Sequence, residues 1–236
     1  MYAFLYRYFR LNLYGFLVAI MFTVLTSALV ISVCAFIEMD DGFLYLIPAI
    51  IYYVAFLLSS LTTGMIFSAD ENKTACAFFL STPAGGKALI RAKYLYILIQ
   101  YLMVLFFCYC TDTICIPITD GKFTLLPVLI LFFCLRLLLS AINIPFMIRF
   151  GSDRGTYIKS FVVTLLIFVV MIYILFGDLS WFFDSKDPFT AFLAWARSGK
   201  IALIRSIFQI FSVIAYIVSC RISVRLFRKG VENYEK

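Results

Sequence analysis

A small group of polar side chains lies in the middle of a long apolar run, where polar groups need a partner. Arg136 stands midway along the run 124–148, and Ser140 and Asn143 follow it at four and seven positions. This spacing places the three side chains on one face of a helix. A guanidinium beside a hydroxyl and an amide can bind carbonyl groups of a neighbouring helix, or it can line a polar pathway. In either case Arg136 must face protein or water.

A longer polar stripe follows in the last apolar run. Its members recur every three or four residues, which is the period of a single helical face. They are Arg205, Gln209, Ser212, Tyr216, Ser219 and Ser223. Such a stripe either joins helices through hydrogen bonds, each worth ~0.6 kcal/mol on average, or contacts a polar conduit. We therefore expect both polar groups, the one around Arg136 and the one from Arg205 to Tyr216, to provide interhelical contacts or a translocation pathway.

The residue types of the chain exclude several kinds of catalytic chemistry. The chain contains no histidine, which excludes His-dependent triads and His-bearing zinc sites. Gly86 and Lys87 resemble the end of a P-loop, but Ser81 stands where the first glycine belongs and Ala88 where a Ser or Thr belongs. We expect no catalytic residues, no metal site, no cofactor and no ATP site in this chain.

The seven cysteines are scattered and show no disulfide framework. Most lie inside apolar runs, where a thiol behaves as a small hydrophobic group. Cys108, Cys110 and Cys115 lie close together near the end of one run. Three cysteines cannot all pair, so one disulfide is the most that this group can form, and a zinc site would lack a fourth ligand.

Composition shows which environment the chain occupies. Of its 236 residues, 64% are hydrophobic and 14% are charged, whereas soluble domains are about 45–50% apolar and about 25% charged. Six apolar runs have lengths close to the ~20 helical residues that cross a membrane. They lie at about 14–37, 44–67, 94–111, 124–148, 160–177 and 201–221. The predicted fold class is all-α: one polytopic membrane domain over residues 1–236 with six transmembrane helices.

Basic residues predict the orientation of these spans. Fourteen of the twenty lysines and arginines lie on the side of the N-terminus, whereas the opposite connections carry four basic and eight acidic residues. Because cytoplasmic loops are enriched in Lys and Arg, we expect both termini in the cytoplasm of a multi-pass protein of the cell membrane. The net charge of +7 is then a topology signal and does not indicate nucleic-acid binding.

Two further segments have a pattern typical of the membrane interface. Residues 1–13 mix aromatic side chains with Arg7 and Arg10, which fits either an interfacial elbow helix or the first turns of the first span. The connection 178–200 contains both tryptophans among several phenylalanines, and it predicts an external helical hairpin in the outer leaflet.

The spans contain no aspartate or glutamate, although ion-coupled carriers commonly use such a group near the midplane. We therefore expect another protein to supply the energy for any transport. The connections 69–93 and 149–159 are the sizeable cytoplasmic surfaces between spans that could contact it.

Both of these connections resemble those of a known family. Residues 71–95, ENKTACAFFLSTPAGGKALIRAKYL, resemble the loop between the second and third spans of small ABC-transporter permeases of the type-2 exporter superfamily. The resemblance includes an acidic start, a Leu-Ser-x-Pro turn, a basic residue and a Lys-Tyr-Leu entry to the next span. Residues 144–158, IPFMIRFGSDRGTYI, resemble the second cytoplasmic loop of the same family.

This resemblance, which is to permeases such as those of phenol-soluble-modulin and lantibiotic exporters, implies a permease subunit that moves amphipathic peptides or other hydrophobic substrates outward. It implies a homodimer or a heterodimer of six-span subunits in membrane lipid, of which the homodimer is expected here. Separate cytoplasmic ATPase subunits would hold ATP and magnesium. The residues expected at the ATPase-coupling loops are Glu71, Lys73, Phe78, Phe79, Leu80, Pro83, Lys87, Gly151 and Arg154.

We expect residues 71–87 to form a short helix in a groove of the ATPase, with Phe78, Phe79 and Leu80 as its packed anchor. The alternative function is a non-transporting polytopic scaffold or sensor subunit. A P-loop ATPase encoded beside this chain would distinguish the two.

Overall fold

The computed structural model describes residues 2–36, 41–59, 66–67, 85–119, 125–150 and 199–232, with single positions at 157, 160, 161, 164, 165 and 168. Six α-helices account for the long stretches of this described part, and no strand occurs in it. They are α1 (Tyr2–Leu11), α2 (Leu13–Phe36), α3 (Asp41–Ser59), α4 (Gly85–Ile118), α5 (Leu126–Phe150) and α6 (Gly199–Glu232).

Four of these helices are long and apolar enough to cross a membrane. They are α2 over Leu13–Ala35, α4, α5, and α6 over Arg205–Arg228. They correspond to the first, third, fourth and sixth predicted spans, and α3 covers most of the second with a shorter apolar part, Ile47–Ser59. The fifth predicted span, 160–177, falls largely outside the described residues, as does the predicted hairpin at 178–200. The described part of the chain is thus all-helical, and its long apolar helices are those of a multi-pass membrane protein.

α4 is the central helix of the bundle and contacts α1, α2, α3, α5 and α6. Its 34 residues give a length of about 50 Å at ~1.5 Å per residue, well beyond the ~30 Å hydrocarbon core. The sequence predicted only 94–111 for this span. Hydropathy detects the apolar middle of a helix but does not detect the polar turns at its ends. Residues Gly85, Gly86 and Lys87 therefore belong to the first turn of a membrane helix.

Contacts along α4 define the directions of its neighbours. Near one end, the rings of Phe16 on α2 and Tyr96 on α4 have centroids 6.2 Å apart. Near the other end, Cys34 of α2 and Cys115 of α4 belong to the same cluster of buried side chains. Since both residue numbers rise together, α2 and α4 are parallel.

α5 and α6 both run opposite to α4. On α5, Leu125 lies beside Asp112 and Ser140 beside Tyr101. On α6, Tyr216, Cys220 and Phe227 of the second half pack with the cluster that contains the first half of α4. The chain therefore leaves α5 at one end of the bundle and enters α6 at the opposite end.

The buried side chains form two clusters along α4. The first contains Tyr8 of α1 together with residues from the first half of α4, the second half of α5 and Tyr216 of α6. The second contains residues from the last turns of α2, the middle of α3, the second half of α4 and the start of α5. α1 contributes through Tyr8, which is fully buried, while Tyr2 and Tyr6 on its other face are exposed. This pattern is amphipathic, and an interfacial position for α1 stays a prediction.

Candidate functional site

Three helices meet at buried hydroxyl groups in the first cluster. The Tyr94 hydroxyl is hydrogen-bonded to Ser219 Oγ at 2.7 Å and to Ser223 Oγ at 2.8 Å. In return, the Tyr216 hydroxyl donates to the carbonyl oxygen of Tyr94 at 2.8 Å. Ser219 Oγ also lies within hydrogen-bond distance of the carbonyl oxygen of Ala141 on α5. These contacts join α4, α5 and α6 by side chains that are all buried.

The sequence builds this junction from small and aromatic residues on matching faces. Tyr216, Ser219 and Ser223 follow one another at three and four positions, so they point in one direction from α6. Serine allows two helices to approach closely because it has little side-chain volume. The long phenol of Tyr94 then reaches both hydroxyls. The chain contains 15 tyrosines, and the sequence does not show which of them bonds to the two serines.

The rest of the predicted α6 stripe makes other contacts. Ser212 is fully buried and donates to the carbonyl oxygen of Gln209 within the same helix, at 2.9 Å. Arg205 and Gln209 are half-buried. Interhelical bonding thus occupies the half of the stripe from Tyr216 onward.

On α5, Ser140 is hydrogen-bonded to the Tyr101 hydroxyl of α4 at 2.8 Å. Ser140 and Tyr101 are both buried. Ser140 therefore makes an interhelical contact, one of the two roles expected for its face of α5.

Arg136 lies one turn before Ser140 and has a different environment. Its side chain is 4% exposed, and its Cζ lies 6.0 Å from the centroid of the Tyr53 ring on α3. Within the described part of the chain, the Nη2 group of Arg136 has no hydrogen-bond partner. A cation held against one aromatic face gains ~0.5–2 kcal/mol, which leaves much of its hydrogen-bonding capacity free.

Asn143 is also buried and only partly bonded. Its Nδ2 contacts Met147 Sδ at 3.7 Å, and its Oδ1 finds no partner in the residues that the structure describes. Arg136 and Asn143 therefore share a face of α5 on which each has a buried polar group without a hydrogen-bond partner among the described residues.

Two buried charged residues were not predicted as sites. Lys93, counted above among the cytoplasmic topology residues, is only 4% exposed. Its Nζ lies 4.4 Å from the Phe67 ring centroid and 5.7 Å from that of Tyr8. The aromatic residues of α1 were the available signal, because a nearby cation is a typical partner for such rings.

Asp112 is the second buried charged residue. It lies near the end of α4, is 2% exposed, and its Oδ1 accepts a hydrogen bond from the backbone N–H of Leu125 at 2.9 Å. The first N–H groups of a helix have no partner within that helix. Asp112 thus caps α5 from the neighbouring helix.

The predicted ATPase-coupling residues are largely beyond the described residues. This applies to Glu71, Lys73, Phe78, Phe79, Leu80, Pro83, Gly151 and Arg154. Lys87 is described and lies exposed in the first turn of α4. Of the predicted helix over 71–87, only the last three residues can be compared, and they begin α4.

These features define a multi-pass helical membrane protein whose helices are joined by buried hydroxyls and whose described residues contain no metal-binding cluster. Comparison with known families places it further: residues 15–228, about nine-tenths of the chain, match the family described as ABC-2 family transporter protein. The chain belongs to this family, which supports a general role as the membrane permease component of an ABC transporter. No curated protein and no solved structure matches the chain.

Proposed function

We propose that this chain is the permease subunit of an ABC exporter that moves amphipathic peptides or other hydrophobic substrates out of the cell. Its energy would come from a separate cytoplasmic ATPase subunit, and two copies would form the translocation unit in the cell membrane. The observation that carries this proposal is the family match over residues 15–228. The polar face of α5 and the central position of α4 add physical support.

The pathway is best assigned to the face of α5 that carries Arg136 and Asn143. The hydroxyls of Tyr216 and Ser219 on α6 already bond to neighbouring helices, so a substrate would have to break those bonds. Among the described residues, Arg136 Nη2 and Asn143 Oδ1 have no hydrogen-bond partner. A polar group of a substrate, such as a carboxylate or a peptide group, would supply the missing hydrogen-bond partners. This is favourable because each unsatisfied buried polar group costs about 1–3 kcal/mol.

Coupling to the ATPase is assigned to the connection before α4. Lys87 is exposed at the start of α4, and α4 contacts five other described helices. A displacement at this end is therefore transmitted directly to the other helices of the described bundle. The apolar residues Phe78, Phe79 and Leu80 would anchor the connection in the ATPase, with Glu71 and Lys73 as polar contacts.

The test is co-purification of this chain with an ABC ATPase, sought first among the proteins encoded beside it, together with substrate-stimulated ATP hydrolysis by that ATPase. Phe79→Ala should weaken binding by ~2 kcal/mol, roughly 30-fold, because truncated interface anchors typically cost this much. Phe106→Ala is the matched control, since it makes the same change at a side chain of α4 that is exposed on the bundle surface. Both variants should insert into the membrane as the wild type does.

Equal binding and hydrolysis by Phe79→Ala and the wild type would show that the connection serves only as a topology signal. If reconstituted vesicles with the ATPase show no ATP-dependent movement of amphipathic peptides, the scaffold or sensor alternative is favoured. A stable and active complex with a single copy of this chain would exclude the homodimer.

A further inference from the structure

The outward face of α6 changes its chemical character along the helix. Its members follow one another at steps of three or four residues, so they lie on one side of α6. All of them are exposed, and they are Ile207, Ile210, Ile214, Ile217, Arg221, Arg225 and Arg228. The four isoleucines are 52–63% exposed. The three cationic residues that continue this face, Arg221, Arg225 and Arg228, are called the arginine row below.

This face points away from the other described helices. Tyr216 and Ser219 bond to α4 and α5, and Ser223 bonds to Tyr94 of α4. Successive residues of a helix are rotated by about 100° around its axis, which places the arginine row nearly opposite these three bonded residues. The isoleucines of the same face are therefore free to contact acyl chains, and the arginine row lies at the outer surface of the bundle.

The arginine row begins where the apolar part of α6 ends. Residues 206–220 contain no charged side chain, and the predicted span ends at residue 221. Arg225 and Arg228 lie about 6 and 10 Å further along the axis. The headgroup layer extends about 5–8 Å beyond each side of the hydrocarbon core. Helical side chains lean towards the N-terminus of their helix, which here is towards the membrane, so these guanidinium groups are placed at the level of the lipid phosphates.

The arginine row concentrates positive charge on one surface. Arg225 lies four residues after Arg221 and three before Arg228, and like charges at these spacings repel each other. The positions three and four residues away from Arg221 and Arg225 contain no Asp or Glu. An external anion would relieve this repulsion. Phosphate suits it well, because a guanidinium donates two parallel hydrogen bonds to phosphate oxygens.

We propose that the arginine row binds the phosphate headgroup of an anionic phospholipid, whose acyl chains pack against Ile214 and Ile217. A phospholipid presents acyl chains and then a phosphate, which is the order of apolar and cationic side chains along this face. That match favours a lipid over a soluble protein such as an ATPase, which would contact the cationic part alone. Clusters of basic residues beside a membrane helix are a typical binding site for anionic lipids. The proposal does not depend on the proposed transport activity.

The experiment gives the delipidated full-length protein an equimolar mixture of phosphatidylglycerol and phosphatidylcholine with identical acyl chains. Native mass spectrometry measures the ratio of the two lipids bound, and the wild type should prefer phosphatidylglycerol. Each basic side chain near an anionic surface contributes a factor of about five. Arg221→Gln combined with Arg225→Gln should therefore lower the preference about 25-fold. Arg221→Lys combined with Arg225→Lys keeps both charges and should retain most of it.

The matched control is Arg91→Gln combined with Arg149→Gln. It removes two exposed charges at the same end of the bundle, from α4 and α5, and should lower the preference less than about fivefold. A size-exclusion profile like that of the wild type would show that the variants are folded. If the glutamine variant of the arginine row does not fold, the wild type decides, since its preference must weaken at high ionic strength.

Three results would overturn the proposal. The wild type could bind both lipids equally, or with a preference that salt does not change. The two glutamine variants could lose the preference to the same extent, which would make it a general effect of charge at this end. The variant of the arginine row could keep its lipid preference and lose co-purification with the ATPase, which would assign this surface to a protein partner.

Discussion

Replacing Arg136 with methionine should stabilise the protein while lowering its activity. An arginine at the centre of a membrane helix costs ~2.5–3.5 kcal/mol on insertion scales. Among the described residues, the contact that offsets this cost is the one with the Tyr53 ring at 6.0 Å, worth ~1 kcal/mol in a partly desolvated site. Methionine keeps the unbranched stem and removes the buried charge. Arg136→Met should therefore raise the free energy of unfolding by roughly 2 kcal/mol, the difference between those terms.

The assay pairs two measurements on the same preparations. Reversible unfolding in a fixed detergent–lipid mixture gives the stability change, and substrate-stimulated ATPase activity of the complex gives the functional change. If Arg136 binds the polar part of the substrate, the stimulated activity should fall at least about tenfold, which corresponds to ~1.4 kcal/mol. Arg149→Met serves as the control because Arg149 is exposed in the last turn of α5, and neither measurement should change much.

Two results would refute this reasoning in different ways. A loss of stability in Arg136→Met larger than about 1 kcal/mol, the typical effect of a damaging substitution, would show that the guanidinium stabilises the bundle. If Arg136→Met gains stability and the substrate-stimulated ATPase activity is unchanged, Arg136 is a buried residue that lies outside the translocation pathway.

Three further predictions concern the helix junctions and the topology. Tyr94→Phe should lower the free energy of unfolding by only ~1 kcal/mol, because it removes two bonds of ~0.6 kcal/mol each, while Tyr14→Phe at an exposed position should leave it unchanged; a far larger loss would contradict this. Asp112→Ala should lower the free energy of unfolding by ~1–2 kcal/mol, as the loss of other helix caps does, and Asp112→Asn should lower it less. Equal losses in the two variants would contradict the capping role. Lys87→Cys on a cysteine-free background should react with a membrane-impermeant maleimide only from the cytoplasmic side, and labelling from outside would overturn the orientation.

Hydropathy located the apolar parts of the four described helices that are long enough to span a membrane, because apolar length is a local property of the sequence. The fourth predicted span, 124–148, nearly coincides with α5 (Leu126–Phe150). The third did not: α4 extends from Gly85 to Ile118, because helical hydrogen bonding continues through residues that hydropathy treats as loop. Lys93 was assigned to such a loop and is instead packed against aromatic rings.

The partners of the polar residues were less predictable than the residues themselves. The period of the α6 stripe identified Tyr216 and Ser219 as one face, but the partner of Ser219 is Tyr94, which lies 125 residues earlier. Periodicity within one helix contains no information about which other helix faces it.

The position of Asp112 has a consequence for how the protein is made. Its carboxylate accepts a hydrogen bond from the backbone N–H of Leu125. Because Leu125 is synthesised thirteen residues after Asp112, α4 reaches the insertion machinery before the Asp112 carboxylate has this partner. Once α5 follows, the carboxylate and the positive end of the new helix neutralise each other. The two helices are thus expected to enter the lipid as a pair, with Asp112 held in an aqueous or protein-lined environment until the first turn of α5 arrives.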